Sequence, residues 1–311
     1  MNKYSVSLLI SVILLIVGCS QPAIHNIPVG TADAVIPIPV MLKVSKDTLG
    51  NPLLEYFSSE NFKVEGAENL GASWDVVESW LTNAGLELEL DFASKPNLSF
   101  ILLDEPSEKG KYSLQFKGNE IIISANLAEG LFRGWTTLRQ MMPASAEVGG
   151  CSNGFFLPKV LLIDRPVFEH RGLLLDCCRH FMEPEFIKKM IDNLALHKMN
   201  VLHWHLTEDQ GWRIEIDAYP KLTNVGAWRT ELDGSTHGGF YTKDEIRDIV
   251  AYAAARHVEI IPEIELPGHS RAALAAYPWL GCTGDTLPVA NKWGVFKDIY
   301  CAGNDTTLRF L

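Results

Sequence analysis

Basic residues are scarce in this chain: 27 Lys and Arg stand against 38 Asp and Glu, for a net charge of −11. No basic stripe interrupts that acidic balance, which argues against a nucleic-acid partner. No apolar run in the body of the chain is long enough to span a bilayer. Cysteine is sparse, at 6 in 311 residues, and none of the spacings suggests zinc. What remains is 47% hydrophobic and 21% charged, a globular composition with room for one large or two moderate domains.

The N-terminus is the exception. Lys3 precedes the apolar run Val6–Val17, VSLLISVILLIV, which gives way to Gly18-Cys19-Ser20. A positive start, a short apolar core and a small residue before the break describe a secretory signal, and the run is short for a permanent membrane helix. The sequence IVGC resembles a bacterial lipobox. That resemblance implies that residues 1–18 are removed and that Cys19, lipidated, opens the mature chain. The alternative is a plain signal peptide with an incidental cysteine. Ser20 is not the aspartate of inner-membrane retention, so the expected location is the cell envelope of a Gram-negative bacterium, at the outer membrane or in the periplasm. Residues 19–37 are small, polar and punctuated by proline, as a tether would be.

Export places the remaining cysteines where disulfides persist. Cys282 and Cys301 flank a loop rich in Gly, Thr, Asp and Asn and are the expected pair. Cys177 and Cys178 sit together at a strand end and read as small buried residues.

Residues 38–163 carry an α+β pattern. Leu86–Phe92, LELELDF, alternates as a half-buried strand does. KYSLQFKGNEIIISA reads as a hairpin about Gly118-Asn119. A helix follows with Leu127, Leu131, Trp135, Leu138 and Met142 along one face. None of this region offers catalytic chemistry. At Asp164-Arg165-Pro166 the pattern changes to alternating β and α, the sign of a parallel sheet. A strand over 172–176 leads to a helix from Pro184 with Phe186, Ile187, Met190, Ile191 and Leu194 as its stripe. The second strand runs over 200–206. A helix capped by Thr242 and Glu245 turns Ile246, Ile249, Val250 and Ala253 inward, and a third strand spans 258–266.

Each of the three strands ends in charge and imidazole: RGLLLDCCRHF (Arg171–Phe181), VLHWHLTEDQGWR (Val201–Arg213) and VEIIPEIELPGH (Val258–His269). Polar clusters at the C-terminal ends of successive parallel strands build the catalytic face of a (β/α)8 barrel. Arg179 can present its fork of donors to sugar hydroxyls or a carboxylate, or can simply pair with Asp176 or Glu183. His203 and His205 share a strand face and could ligate a metal. With no third ligand at a matching position, a hydrogen-bonding role inside the barrel is the better reading. Trp212 suits stacking on a sugar or burial in the core. Glu208 and Asp209 could do acid/base work, bind substrate or orient a histidine. A couple between Glu208 and His269 would raise the imidazole pKa by charge attraction.

HRGLLLDCCRHF, HKMNVLHWHLTEDQGWRIEI with YPKL after it, and IPEIELPGH together resemble the β-N-acetylhexosaminidases of glycoside hydrolase family 20. GLFRGWTTLRQMM is similar to the close of the small α+β domain that precedes their barrel. The resemblance implies a small α+β domain over 38–163, then the first three β/α units of a TIM barrel over 164–311. It implies exo-hydrolysis of terminal N-acetylhexosamines from glycans, with no cofactor and no metal. By position, Arg179 is the substrate-binding arginine that grips the terminal sugar, and Glu208 and His269 are the supporting couple. Many members have Asp where this chain has Glu208. The family's catalytic pair is an adjacent Asp-Glu in a GGDE-type motif on the fourth strand, where Asp orients the substrate's nucleophilic acetamido group and Glu is the acid/base. No such motif occurs here, and a barrel takes about 250 residues. The expectation is therefore an N-terminal portion, inactive alone. Two other readings are a non-catalytic, lipid-anchored glycan-binding remnant and an enzyme that uses Glu263 or Glu265 with Asp209.

Lipidation is directly testable. A fatty-acid analogue fed to the producing cells is expected to label the wild-type protein and leave Cys19→Ala unlabelled; equal labelling would refute it.

Overall fold

The computed structural model describes residues 27–106 and 108–311; the expected signal segment and Cys19 lie outside them. Seven strands form the first sheet, in the spatial order Met41–Val44, Val160–Asp164, Tyr112–Lys117, Glu120–Ala125, Leu98–Leu102, Phe62–Glu65 and Leu88–Glu89. The central hairpin pairs Tyr112 with Ala125 through Lys117 with Glu120. It turns at Gly118, whose φ of 67° is open to glycine at no steric cost. The alternating LELELDF segment contributes only Leu88–Glu89, an outer edge strand laid parallel to Phe62 and Lys63. Its ladder ends there, and Leu90 is exposed.

Helix Ala128–Met141 crosses this sheet, burying Leu131, Trp135 and Leu138, with Met142 just beyond its end. Leu127, expected on the same face, precedes the first turn and is exposed. Two glycines one turn apart set how closely the helix approaches the hairpin. A Cβ on Gly130 would stand 2.5 Å from Lys111 O, and one on Gly134 would stand 2.4 Å from Ile123 Cγ2. The segment read as a tether is docked from Pro28 onward. Gly30 N–H donates to Phe156 O (2.8 Å), Thr31 N–H donates to Met141 O (2.9 Å), and Ala32 and Val35 are buried. Small residues let it lie flat on the domain, where composition alone suggested a free spacer.

The second half holds three parallel strands, Gly172–Asp176, Val201–His205 and Glu259–Glu263, with Val201–His205 in the centre. Their register aligns Leu175 with Trp204 and Pro262, and Asp176 with His205 and Glu263. Side chains alternate across the sheet, so Leu202 and Trp204 face the helices while Asp176, His203, His205 and Glu263 share the opposite face. Helices Pro184–Leu196 and Lys243–Ala254 cover the first of these faces with Ile187, Ile191, Leu194, Ile249 and Ala253. Phe186 and Val250, expected in those stripes, are exposed, because each helix buries a narrower band than its apolar residues could fill. The second helix opens on a complete capping box: Glu245 N–H donates to Thr242 Oγ1 (3.2 Å) and Thr242 N–H donates to Glu245 Oε2 (2.8 Å). The architecture is thus a small α+β unit followed by part of a TIM barrel.

The two halves share one continuous apolar core, which runs from Leu131 and Leu138 to Ile187, Ile191 and Trp204. Polar contacts lock the seam. Buried Lys198 donates to Tyr112 Oη (3.0 Å) and Asp164 Oδ2 (3.3 Å), and Tyr112 donates to the same carboxylate oxygen (2.9 Å). Arg133 Nη2, on the helix that crosses the sheet, donates to His257 O (2.9 Å) before the third barrel strand.

A second buried cation organises the loops above the strands. Arg213 is fully buried, and its guanidinium donates to four carbonyls: Cys177 O (3.0 Å), Cys178 O (2.6 Å), Ala227 O (2.6 Å) and Gly239 O (2.9 Å). Burial pulls its pKa down to about 10, which still leaves it charged at neutral pH. Lysine keeps the charge but has three donors on one nitrogen and cannot span these carbonyls. Arg213→Lys should therefore cost roughly 3 kcal/mol or more, at about 1.5–3 kcal/mol per lost charge-assisted bond. The check is urea denaturation, and an unchanged midpoint would show that the clamp is dispensable.

Candidate active site

The chain leaves each barrel strand in a sharp turn, and those turns gather the charged residues. At the end of the first strand Asp176 Oδ1 accepts the N–H of Cys178 (3.0 Å) and of Arg179 (3.1 Å), folding the backbone back on itself. That turn returns the Arg179 side chain to its own anchor. Nη1 donates to Asp176 Oδ2 (2.6 Å), and Nη2 donates to Glu208 Oε1 from the second strand. Arg229 Nη1 braces the loop by donating to Arg179 O (2.9 Å). Burial works against the charge on Asp176, but the backbone and guanidinium hydrogen bonds from Arg179 outweigh it and hold its pKa below the usual value.

Glu208 is buried, and its second carboxylate oxygen accepts the N–H of Asp209. His269, from the loop after the third strand, places Nδ1 2.7 Å from Glu208 Oε1 and 3.3 Å from Asp209 Oδ2. A φ of 49° at His269 puts this non-glycine residue in the left-handed region, which turns the imidazole back toward the carboxylates. Asp209 Oδ1 accepts the N–H of Arg271 (3.0 Å), so the same carboxylate pins the start of the next helix. The structure thus brings Arg179, Glu208 and His269 into one chain of contacts, with Asp176 and Asp209 as the outer supports. Of the roles the sequence leaves open to Asp209, the structure shows contact with a histidine, at His269, together with an anchor on the N–H of Arg271.

The other candidates lie beside this group, and His205 meets it at Asp176. His203 Nε2 lies 2.7 Å from Glu263 Oε2, while His205 is ringed by Asp176 Oδ1 (3.7 Å), Glu263 Oε1 (3.9 Å) and Glu265 Oε1 (3.5 Å). Glu263 and Glu265 therefore gather at His205, whereas Asp209 stands against His269 and Arg271. Glu265 also lies close enough to His269 for its charge to help raise the imidazole pKa. His180 stacks on His237 with ring centroids 4.5 Å apart. Trp212 is 6% exposed and donates through Nε1 to Ile214 O (2.6 Å), so it is a core indole and no sugar platform. Cys177 and Cys178 are both fully buried; Cys177 Sγ accepts from Trp204 Nε1 (3.3 Å) and Cys178 Sγ donates to His205 O (2.9 Å).

Cys282 and Cys301, the pair expected to form a disulfide, stand as separate thiols in the structure. A β-bridge between Gly281 and Tyr300 nevertheless sets them side by side, within reach of a thiol–thiol hydrogen bond.

Burial lowers the His269 pKa, but the Glu208 charge and the Asp209 contact overcome it and raise the value above 6.5. Glu208 is itself raised, because burial disfavours its charge more than Asp209 N–H and Arg179 favour it. The sign for stability follows. The His269 contribution is complete below pH 6.5 and is lost as pH rises through the higher folded value. NMR titration of the imidazole is expected to give a pKa above 6.5 that falls in Glu208→Gln. An unshifted imidazole in the wild type would break the coupling.

Comparison with known proteins bears on the chain as a whole. The model of "Glycosyl hydrolase family 20, catalytic domain" matches residues 168–311, and that of "Glycosyl hydrolase family 20, domain 2" matches 33–156. A beta-hexosaminidase of Porphyromonas gingivalis is 39% identical over 322 residues, covering 100% of this chain and 40% of that protein. A beta-N-acetylhexosaminidase of Cellulomonas fimi is 33% identical over 271 residues, covering 86% of this chain and 51% of that protein. The solved Streptomyces plicatus N-acetyl-beta-hexosaminidase in complex with Thio-NAglucal superposes with a TM-score of 0.80 at 33% identity, covering 90% of this chain and 55% of that one. The chain thus spans about two-fifths to just over half the length of these three proteins. With both characteristic domains matched in order, and the fold shared with solved members, the chain belongs to glycosyl hydrolase family 20.

Proposed function

We propose that this chain supplies the sugar-gripping side of a β-N-acetylhexosaminidase that releases terminal non-reducing N-acetyl-β-D-hexosamine from glycans. One observation carries the reading: Arg179 is held between Asp176 and Glu208, with His269 behind Glu208, at the C-terminal ends of adjacent barrel strands. A guanidinium has five N–H donors. Two of them bind the carboxylates, which fix the fork in place. The others remain for sugar hydroxyls, and the side chain is 25% exposed, enough to be reached from the open face. The carboxylates also offset the cation, so the site binds a neutral sugar by directed hydrogen bonds. The role of Glu208 and His269 is to position Arg179: the carboxylate holds one arm of the guanidinium, and the imidazole behind it braces the carboxylate.

Hydrolysis by the substrate-assisted retaining route needs one group to orient the 2-acetamido carbonyl and an acid to protonate the leaving oxygen. The GGDE-type pair that would do both is not in this sequence. Residues 20–311 alone are therefore expected to cleave an aryl N-acetylglucosaminide at background rate. General acid catalysis is worth about 10²–10⁴-fold by itself. The same observation favours a second reading, a non-catalytic envelope protein, anchored through Cys19, that binds N-acetylhexosamine-terminated glycans.

Both readings are tested by assaying residues 20–311 beside a version carried to the length of its relatives. Turnover by the longer form alone supports the enzyme. Glycan binding without turnover in either form supports the remnant. Robust turnover by the short form would overturn both. In the longer form Arg179→Ala should lower kcat/KM by about tenfold to a hundredfold, from the loss of charge-assisted bonds. Unchanged kinetics would make Arg179 a purely structural residue.

A further inference from the structure

The docked start of the chain changes what an anchor at Cys19 would do. Pro28, the first residue tied to the small domain, stands nine positions after Cys19. Nine residues reach about 30 Å when fully extended and about 15–18 Å as a flexible coil. A lipid at Cys19 would therefore bring the surface around Pro28 to the bilayer. A spacer running as far as residue 37 would have let the domain swing clear of it.

That surface is apolar. Phe156 N–H donates to Pro28 O (3.0 Å) and Gly30 N–H donates to Phe156 O (2.8 Å), so the entering chain lies alongside the strand Phe155–Pro158. On its other side that strand pairs with Leu54–Phe57. Val29 and Tyr56 both stand opposite Phe156. Residues opposite one another in a ladder share a face, and so do residues two apart in one strand. Val29, Phe156, Tyr56 and Leu54 thus form one face, and Phe57, Phe155 and Leu157 form the other. The second face is fully buried in the core. The first is open: Val29 is 53% exposed, and Leu54 and Tyr56 are each 44% exposed. Tyr56 packs on half-buried Phe156 with ring centroids 5.3 Å apart, while its hydroxyl donates to Asn153 O (3.3 Å).

Apolar residues scattered singly over a surface are ordinary. These are contiguous, and they lie on the strand through which the chain enters the domain. An aromatic ring with a polar tip, set among aliphatic side chains, suits the boundary between headgroups and acyl chains. We propose that Val29, Leu54, Tyr56 and Phe156 form a foot by which the small domain rests on a phospholipid surface. The inference rests on lipidation at Cys19 and stands apart from the hexosaminidase reading. It turns a single point of attachment into two, so that the protein is held in one orientation at the membrane.

The experiment uses the lipidated full chain, inserted in vesicles of phosphatidylethanolamine and phosphatidylglycerol, with the Cys19 modification read by the fatty-acid label. A benzophenone amino acid replaces Val29, Tyr56 or, as a control on the barrel helix Lys243–Ala254, Asp244, whose side chain is 91% exposed. Peptide mass spectrometry after irradiation reads what each site has captured. Phospholipid adducts at 29 and 56 are expected to exceed those at 244 at least tenfold. Leu54→Asp combined with Tyr56→Asp is expected to cut the adduct at 29 at least fivefold, with labelling at Cys19 as in the wild type. An adduct at 29 that survives the double substitution would overturn the proposal, because the short linker alone would then bring that residue to the lipid. Equal adducts at all three sites would also overturn it, as would capture of a second copy of the chain or of residues 20–26 in place of lipid. A chain that takes up no fatty acid at Cys19 removes the premise and the proposal with it, and the label separates that failure from an anchored chain whose face meets no lipid.

Discussion

A buried guanidinium with no carboxylate against it holds the upper part of this molecule together. Arg213 answers four carbonyls from three separate stretches of chain: the turn after the first barrel strand, the loop at Ala227 and the loop at Gly239. Buried carbonyls without donors are costly, and so is a buried cation without acceptors. Each side meets the requirement of the other. The turn that carries Arg179 begins at Cys177 and Cys178, so the arginine proposed to grip the sugar is held in place from beneath by a second arginine that never reaches solvent.

The charges above the clamp form a graded series. Hydrogen bonds from Arg179 hold the Asp176 pKa below its usual value, while burial raises that of Glu208 against the opposing pull of the Asp209 N–H, Arg179 and His269. Asp209 completes the set from the side, touching His269 and the N–H of Arg271. Three carboxylates around one arginine and one imidazole would repel one another if any cation left. The site is therefore pre-organised by charge balance as much as by shape.

How much of this was legible in the sequence differs from residue to residue. The barrel strands announced themselves because each apolar run breaks into polar residues where its C-terminal end meets the active face. The capping box at Thr242 and the hairpin at Gly118 were legible for a related reason, since local chemistry alone decides them. LELELDF failed because alternation shows that a strand could form and says nothing about whether a neighbour offers it a ladder. The apparent tether failed because small residues suit a free spacer and a flatly docked segment equally well. Arg213 gave no signal at all: an arginine after a tryptophan looks like surface, and only the fold reveals four carbonyls converging on it.

The helix Ala128–Met141 has a consequence for how the chain is made. One side of it packs on the first sheet, and Arg133 and Gln140 reach across to the barrel half, donating to His257 O (2.9 Å) and Leu196 O (2.7 Å). Its apolar side chains belong to the same core as Ile187 and Ile191 of the first barrel helix. A barrel whose strands close only when the last meets the first has no stable stage of its own early in synthesis, and domains fold as they emerge. Here the preceding domain, whose last strand Val160–Asp164 comes before the first barrel strand in the chain, offers a surface on which the first β/α unit can settle. The small domain thus serves as a mould, sparing the nascent barrel an interval as an unpaired sheet in search of its neighbours.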